Sequence, residues 1–282
     1  MSVVWATCVS LIVKSSPRLG AAILSGKTGA SASVSALSAP LALLLTLRAN
    51  ASMTRLLEAR LAWGSFTLHS RSIANLLQVY LLPLEPEASI LAMRHLSILG
   101  WLLKARLRDE SEESQQQVLR TMLSGEDYSW LSSQQQNRPT AITSRLRQIT
   151  AVAFDRTPAG TTANNPLAFV EERIHQLETA LGVVERIFSS PIPPTYSRHL
   201  SRVMSLWLFF LPINLVALGL TTSGVIVATM VAAYTFIGLD EVGMEIERPS
   251  VLLPLQQLAA SIQNAVRDQV VMEGGGGMPK VP

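Results

Sequence analysis

The sequence predicts an all-α, multi-pass membrane protein with a helical domain outside the bilayer, and three observations predict it. Nearly half of the 282 residues (48%) are hydrophobic and only 15% are charged, where soluble domains carry roughly a quarter. The apolar residues are gathered in long uncharged runs, and most of the charges fall in the stretch between those runs. No alternating apolar–polar pattern of convincing strand length is present.

The elements follow in chain order. Ser2 to Val13 is apolar, but at about a dozen residues it is short for a span and reads as the surviving end of a longer first helix. That reading expects a truncated N-terminus and leaves any targeting segment unreadable. Ser25 to Ser31, SGKTGAS, is expected as a connecting loop. Ser31 to Leu47, SASVSALSAPLALLLTL, is uncharged and rich in small residues, which let membrane helices approach closely. It is the second membrane helix.

Between Arg48 and Ser205 the composition turns polar, so this stretch faces water. Helical spacing is visible at Leu56, Ala59, Leu61 and Trp63, along Leu96 to Leu107, and along Phe169 to Ile187. Breaks are expected at Pro83 to Glu87, Ser124 to Asp127, Gln134 to Pro139 and Thr157 to Pro166, where Pro, Gly and small polar residues cluster. Two further uncharged runs, Val203 to Leu220 and Val225 to Leu239, form a membrane hairpin with its turn at Thr221 to Gly224. Pro212 and Asn214 inside it must face protein or water. The resulting organisation is 1–47 for a partial first and a second membrane helix, 48–198 for the extramembrane domain, 199–247 for the third and fourth membrane helices, and 248–282 for a C-terminal tail.

Several function classes are excluded. The net charge of +3 is spread without a basic run or interleaved aromatics, which argues against nucleic acid. Cys8 is the one cysteine, so there is no intrachain disulfide and no cysteine-rich zinc site. Gly26-Lys27-Thr28 lacks the glycine five residues earlier that a phosphate loop needs, since Ala21 stands there. His69, His95, His175 and His199 have no partners at metal-ligand spacing, and no Ser/His/Asp set or nucleophile elbow supplies a catalytic residue. No metal or cofactor is expected.

Ala39, Leu43 and Leu47 recur every fourth residue on one face of the second helix, with Arg48 one residue beyond. The spacing fits a helix-packing stripe. It also fits, if copies of the helix surround an axis, a narrow apolar neck that gates by wetting, with a ring of Arg48 guanidinium groups drawing anions to its mouth.

Three blocks of the sequence resemble the bestrophin family of anion channels, in particular its plastid and bacterial branch. Leu47 to Arg60, LRANASMTRLLEAR, is similar to the family's FRTNxSYxRWWEAR and is followed by Trp63-Gly64 and Ser70-Arg71. Pro191 to Arg202, PIPPTYSRHLSR, resembles PIPxxYxxHxxR. Ile237 to Pro249, IGLDEVGMEIERP, with Leu253-Pro254-Leu255 after it, resembles LGLDEIGxxIExPF and LPL. The resemblance implies a bestrophin-like homopentamer with four membrane helices per subunit, conducting chloride along the five-fold axis, with bicarbonate and nitrate as competing anions. It places the pore neck at Ala39, Leu43 and Leu47 and a second constriction at Ile192. It also points to a plastid membrane, thylakoid or envelope, ahead of the plasma membrane. A membrane-anchored assembly protein without conductance and a bicarbonate-preferring channel of the same family are the alternatives.

The chain departs from the family pattern at specific places. Ala and Leu stand in the neck where animal members carry Ile and Phe, and Met53, Leu56 and Leu57 replace the Tyr and paired Trp of the first block. Ser250 to Leu253 carries no carboxylate where animal members have a calcium clasp, and a calcium ion needs six or more oxygen ligands. No calcium dependence is expected there.

Overall fold

A computed structural model describes residues 2–16, 18, 27–123, 125–134, 137–156, 166–190 and 193–271. Among these there is no strand. The chain divides into two compact units, Met1–Leu56 with Pro191–Arg248, and Leu57–Ser190 with Pro249–Pro282.

The first unit is built from α1 (Ser2–Ser15), the first part of α2 (Lys27–Leu76), α8 (Pro194–Ala217) and α9 (Thr222–Ile246). Among the described residues three helices are long and apolar enough to cross a membrane, starting at Val34, Pro194 and Thr222, while Val4–Ser15 is apolar but shorter. α1 packs on both α8 and α9. Its Trp5 ring stacks on Phe209 with centroids 4.6 Å apart and donates from Nε1 to the Phe209 carbonyl at 3.0 Å. The core between α2 and α8 joins Val34, Leu41 and Leu45 to Leu200, Met204, Trp207 and Leu211. Pro212 and Asn214 are buried against protein, which spares them contact with lipid.

The turn of the hairpin differs from the expected one by a few residues. Gly219 takes a φ of 85°, the left-handed conformation that ends helices and that glycine adopts without a Cβ penalty. Thr221 then caps α9, its side-chain oxygen accepting from the Gly224 amide at 3.2 Å. Thr-Thr-Ser-Gly is therefore the cap and first turn of a helix rather than the loop itself. Likewise Lys27 to Ser31, expected in a loop, lies in helix α2.

α2 does not end at Leu47 but continues to Leu76, an unbroken helix of 50 residues in all. The apolar run ends at Arg48, but nothing there ends a helix, because Arg, Ala, Leu, Met and Glu are all good helix formers. At about 1.5 Å per residue the helix is roughly 75 Å long, more than twice the ~30 Å hydrocarbon core of a bilayer.

In the second unit, α3 (Pro86–Leu107) is buried around nearly its whole circumference from Ala92 to Leu103, as expected of the central helix of a bundle. It is packed by α4 (Glu112–Met122), α6 (Arg138–Asp155) and α11 (Leu255–Val271). The short helices α5 (Gly125–Ser133) and α10 (Pro249–Leu252) and the 24-residue α7 (Pro166–Ser189) complete the unit. Arg147 on α6 binds Glu171 at 2.9 Å and Glu178 at 2.7 Å, one side chain clamping two turns of α7. Ser111 and Asn137 cap α4 and α6. Pro86, Asn137 and Pro166 stand at the helix starts expected from their clusters; Ser124, residues 135–136 and 157–165 lie outside the described residues.

The C-terminal segment is not a tail over its first part. α11 docks on α3 so closely that a Cβ on Gly100 would lie 3.2 Å from the Ala259 backbone. Trp101 Nε1 donates to Gln263 Oε1 at 3.0 Å across the same interface.

Candidate functional site

The face of α2 that carries Ala39, Leu43 and Leu47 is left uncovered by the described residues. Leu43 is 59% and Leu47 51% exposed, and Ala39 is exposed as well. The opposite face carries Leu41, Leu45, Arg48 and Ser52, all buried. Two sets at spacings of three and four residues thus divide the helix, one facing its own subunit and one left for something else.

Three contacts hold this stretch in place. Trp207 Nε1 donates to the Val34 carbonyl at 3.2 Å. The Tyr196 hydroxyl donates to the Leu44 carbonyl at 2.7 Å, between the turns that carry Leu43 and Leu47. The Arg48 guanidinium is paired with the Asp240 carboxylate on α9 and reaches Glu247 Oε2 at 3.4 Å. Gly243 faces the pair: a Cβ there would lie at ordinary van der Waals distance, 3.5 Å from Arg48 Nε.

The expected ring of free guanidinium groups is therefore corrected. Arg48 is 2% exposed, and its charge faces two carboxylates rather than the open stripe. The physical reason is helical rotation: one residue beyond Leu47 is about 100° around the axis, which carries Arg48 to the covered side. Desolvation of a guanidinium is tolerated there because an ionised partner accompanies it.

The three sequence blocks meet at this stretch. Arg48 of the first is held by Asp240 and Glu247 of the third, and Tyr196 of the second binds the backbone beside Leu43. Asp240, Glu247, Gly243 and Tyr196 were not singled out from spacing, although all four lie inside quoted blocks. Ile192 lies outside the described residues. Among the described residues there is no group of three or more His, Cys, Asp or Glu that could hold a metal ion.

Known proteins resemble this chain over most of its length. A family model described as Bacterial/Fungal Bestrophin protein matches residues 1–268. A protein from Nostoc sp. named voltage-dependent anion channel-forming protein is 30% identical over 74% of this chain and 66% of its own length. The Arabidopsis thaliana protein named voltage-dependent chloride channel 1, chloroplastic, is 30% identical over 84% of this chain and 56% of its own length. The chain thus spans between half and two thirds of these relatives. A crystal structure of a bacterial bestrophin homolog from Klebsiella pneumoniae, obtained by Zn-SAD phasing, matches with a TM-score of 0.81 at 23% identity, covering 96% of each chain. That likeness establishes the fold.

Proposed function

The chain belongs to the bacterial and fungal bestrophin family, and from that premise we propose that it conducts anions passively along the axis of a homopentamer, with α2 of each copy facing the axis. The observation that carries the proposal is the uncovered apolar stripe. Ala39, Leu43 and Leu47 are exposed on a helix that buries Leu41, Leu45, Arg48 and Ser52 on its opposite side, and an exposed apolar stripe of this kind needs either lipid or further copies against it. The names of the Nostoc and Arabidopsis relatives support anions as the cargo.

The physics of such a neck is simple. Rings of Leu43 and Leu47 offer no hydrogen bonds, so an anion must cross partly hydrated and without binding tightly, and the constriction conducts when it is wet. With Arg48 neutralised, attraction falls to other cations. Arg198 and Arg202 are exposed one helical turn apart on α8, beside Tyr196, and neither forms an ion pair among the described residues. Positive potential of this kind raises the local anion concentration. Chloride is the proposed substrate, with bicarbonate and nitrate as competitors. The Arabidopsis relative named chloroplastic supports a plastid membrane as the location.

The test is anion efflux from liposomes holding the purified protein, together with its native mass in detergent. Chloride release by a five-copy assembly is expected. A stable assembly that releases no anion would identify a membrane-anchored structural protein instead.

A further inference from the structure

Helix α6 carries Arg145, Gln148, Ile149, Val152 and Ala153 at spacings of three and four residues, which places them along one face, and Arg156 is its C-cap residue. With Glu85, Ala88 and Leu91 around the start of α3 they line a cleft of about 440 Å³. That is within the range of pockets that hold small organic ligands, roughly 300 to 1,000 Å³.

The cleft has two characters. Its middle is apolar, formed by Leu91, Ile149, Val152 and Ala153, and Val152 is left 52% exposed. Its ends are cationic. Arg156 is exposed and forms no ion pair among the described residues. Arg145, three helical turns earlier, is held from behind: its Nη2 lies 3.4 Å from Asp127 Oδ1 and its guanidinium carbon 5.6 Å from the centre of the Trp130 ring. A guanidinium fixed in this way has little freedom to lose when a ligand arrives. Glu85 is the one carboxylate in the lining and Asp127 offsets Arg145 from behind, so the formal charges balance and Arg156 is the cation that stands without an ion pair among the described residues beside the hydrocarbon surface.

We propose that this cleft binds a small amphipathic carboxylate, with the carboxylate on the Arg156 guanidinium and the hydrocarbon chain lying over Val152, Ala153 and Leu91 toward Arg145. Charge and shape both select that class. Chloride or acetate meets the cation but covers no apolar surface, and a neutral alcohol covers the surface but leaves the guanidinium unmatched. The site belongs to the second unit and does not depend on conduction, so its test is a binding measurement.

Isothermal titration of hexanoate into the full chain in nanodiscs, with empty nanodiscs as the blank, tests the proposal. Saturable binding beyond the blank is expected, with acetate and hexan-1-ol each weaker by about tenfold or more, the effect of losing one charge-assisted contact or a buried chain. Arg156→Gln, at an exposed position without an ion pair among the described residues, should weaken hexanoate about tenfold or more while leaving the melting temperature unchanged. Val152→Asp should weaken it at least as much, by repelling the carboxylate and replacing the apolar floor. The proposal is overturned if hexanoate does not bind saturably, if either variant binds it undiminished, or if hexan-1-ol binds as tightly.

Discussion

Arg48 and Asp240, 192 positions apart in sequence, form a buried ion pair that fixes the middle of α2 against α9. Removing one partner leaves the other charge buried without compensation, which costs about 3 to 5 kcal/mol. Arg48→Met should therefore lower stability by that amount in chemical unfolding of the detergent-solubilised protein. Arg48→Met combined with Asp240→Leu should recover most of the loss, since a buried pair can be exchanged for apolar residues at little net cost. Additive losses in the double variant would contradict a direct pairing.

Gly243 sets the room available to that pair. A methyl group meets Arg48 Nε at ordinary contact distance, so Gly243→Ala should be tolerated and should gain helix propensity of up to about 1 kcal/mol. Gly243→Leu has no such space and should displace the guanidinium, destabilising the chain by about 1 to 3 kcal/mol. Melting temperatures of the two variants check the contrast, which fails if Leu is borne as well as Ala.

Leu43 and Leu47 are exposed within the subunit, so shortening them removes little internal packing. Leu43→Ala with Leu47→Ala should keep the assembly and its stability while widening the neck, raising unitary conductance or weakening gating. Planar-bilayer currents indistinguishable from wild type would remove these residues from the neck.

His95 couples stability to pH in the extramembrane unit. It is fully buried, and burial holds its imidazole below the ordinary value; the Leu91 carbonyl and the Asp127 carboxylate pull upward, and Arg145 pushes down. Nδ1 pairs with the Leu91 carbonyl at 2.9 Å, while Nε2 faces Asp127 Oδ1 at 3.5 Å. The unfolded chain takes up the proton near pH 6.5 and the folded chain only at lower pH. The contribution of neutral His95 is thus complete above about pH 6.5 and is lost as pH falls toward the folded-state pKa. Wild type should lose more stability than His95→Gln between pH 7.5 and 5.5, measured by denaturant titration. An equal loss in both would show that His95 is not the group responsible.

How much of this was legible in the sequence depends on which physical signal each feature leaves. Membrane helices announce themselves by uncharged runs, so α8, α9 and the apolar part of α2 were readable, and the alternation of exposed and buried faces at Ala39, Leu43 and Leu47 was readable as a stripe. The helix end after Leu47 was misplaced because loss of hydrophobicity is not loss of helicity. Arg48 lies one position beyond the stripe along the chain, but a turn of about 100° around the helix puts it on the side of Leu41 and Leu45. Its partners were beyond reach, because a contact across 192 positions leaves no local pattern. The docking of α11 rests on Gly100 and Ala259 fitting together, and two small residues far apart in sequence carry no such message alone.

Anion passage through a ring of these chains is the proposed function. It is tested most directly by the reversal potential of the purified protein in a planar bilayer under a potassium chloride gradient. A reversal potential close to the chloride equilibrium potential is predicted, shifting when nitrate or bicarbonate replaces chloride on one side. A reversal potential close to that of potassium, or no current from a protein that has assembled, would contradict it.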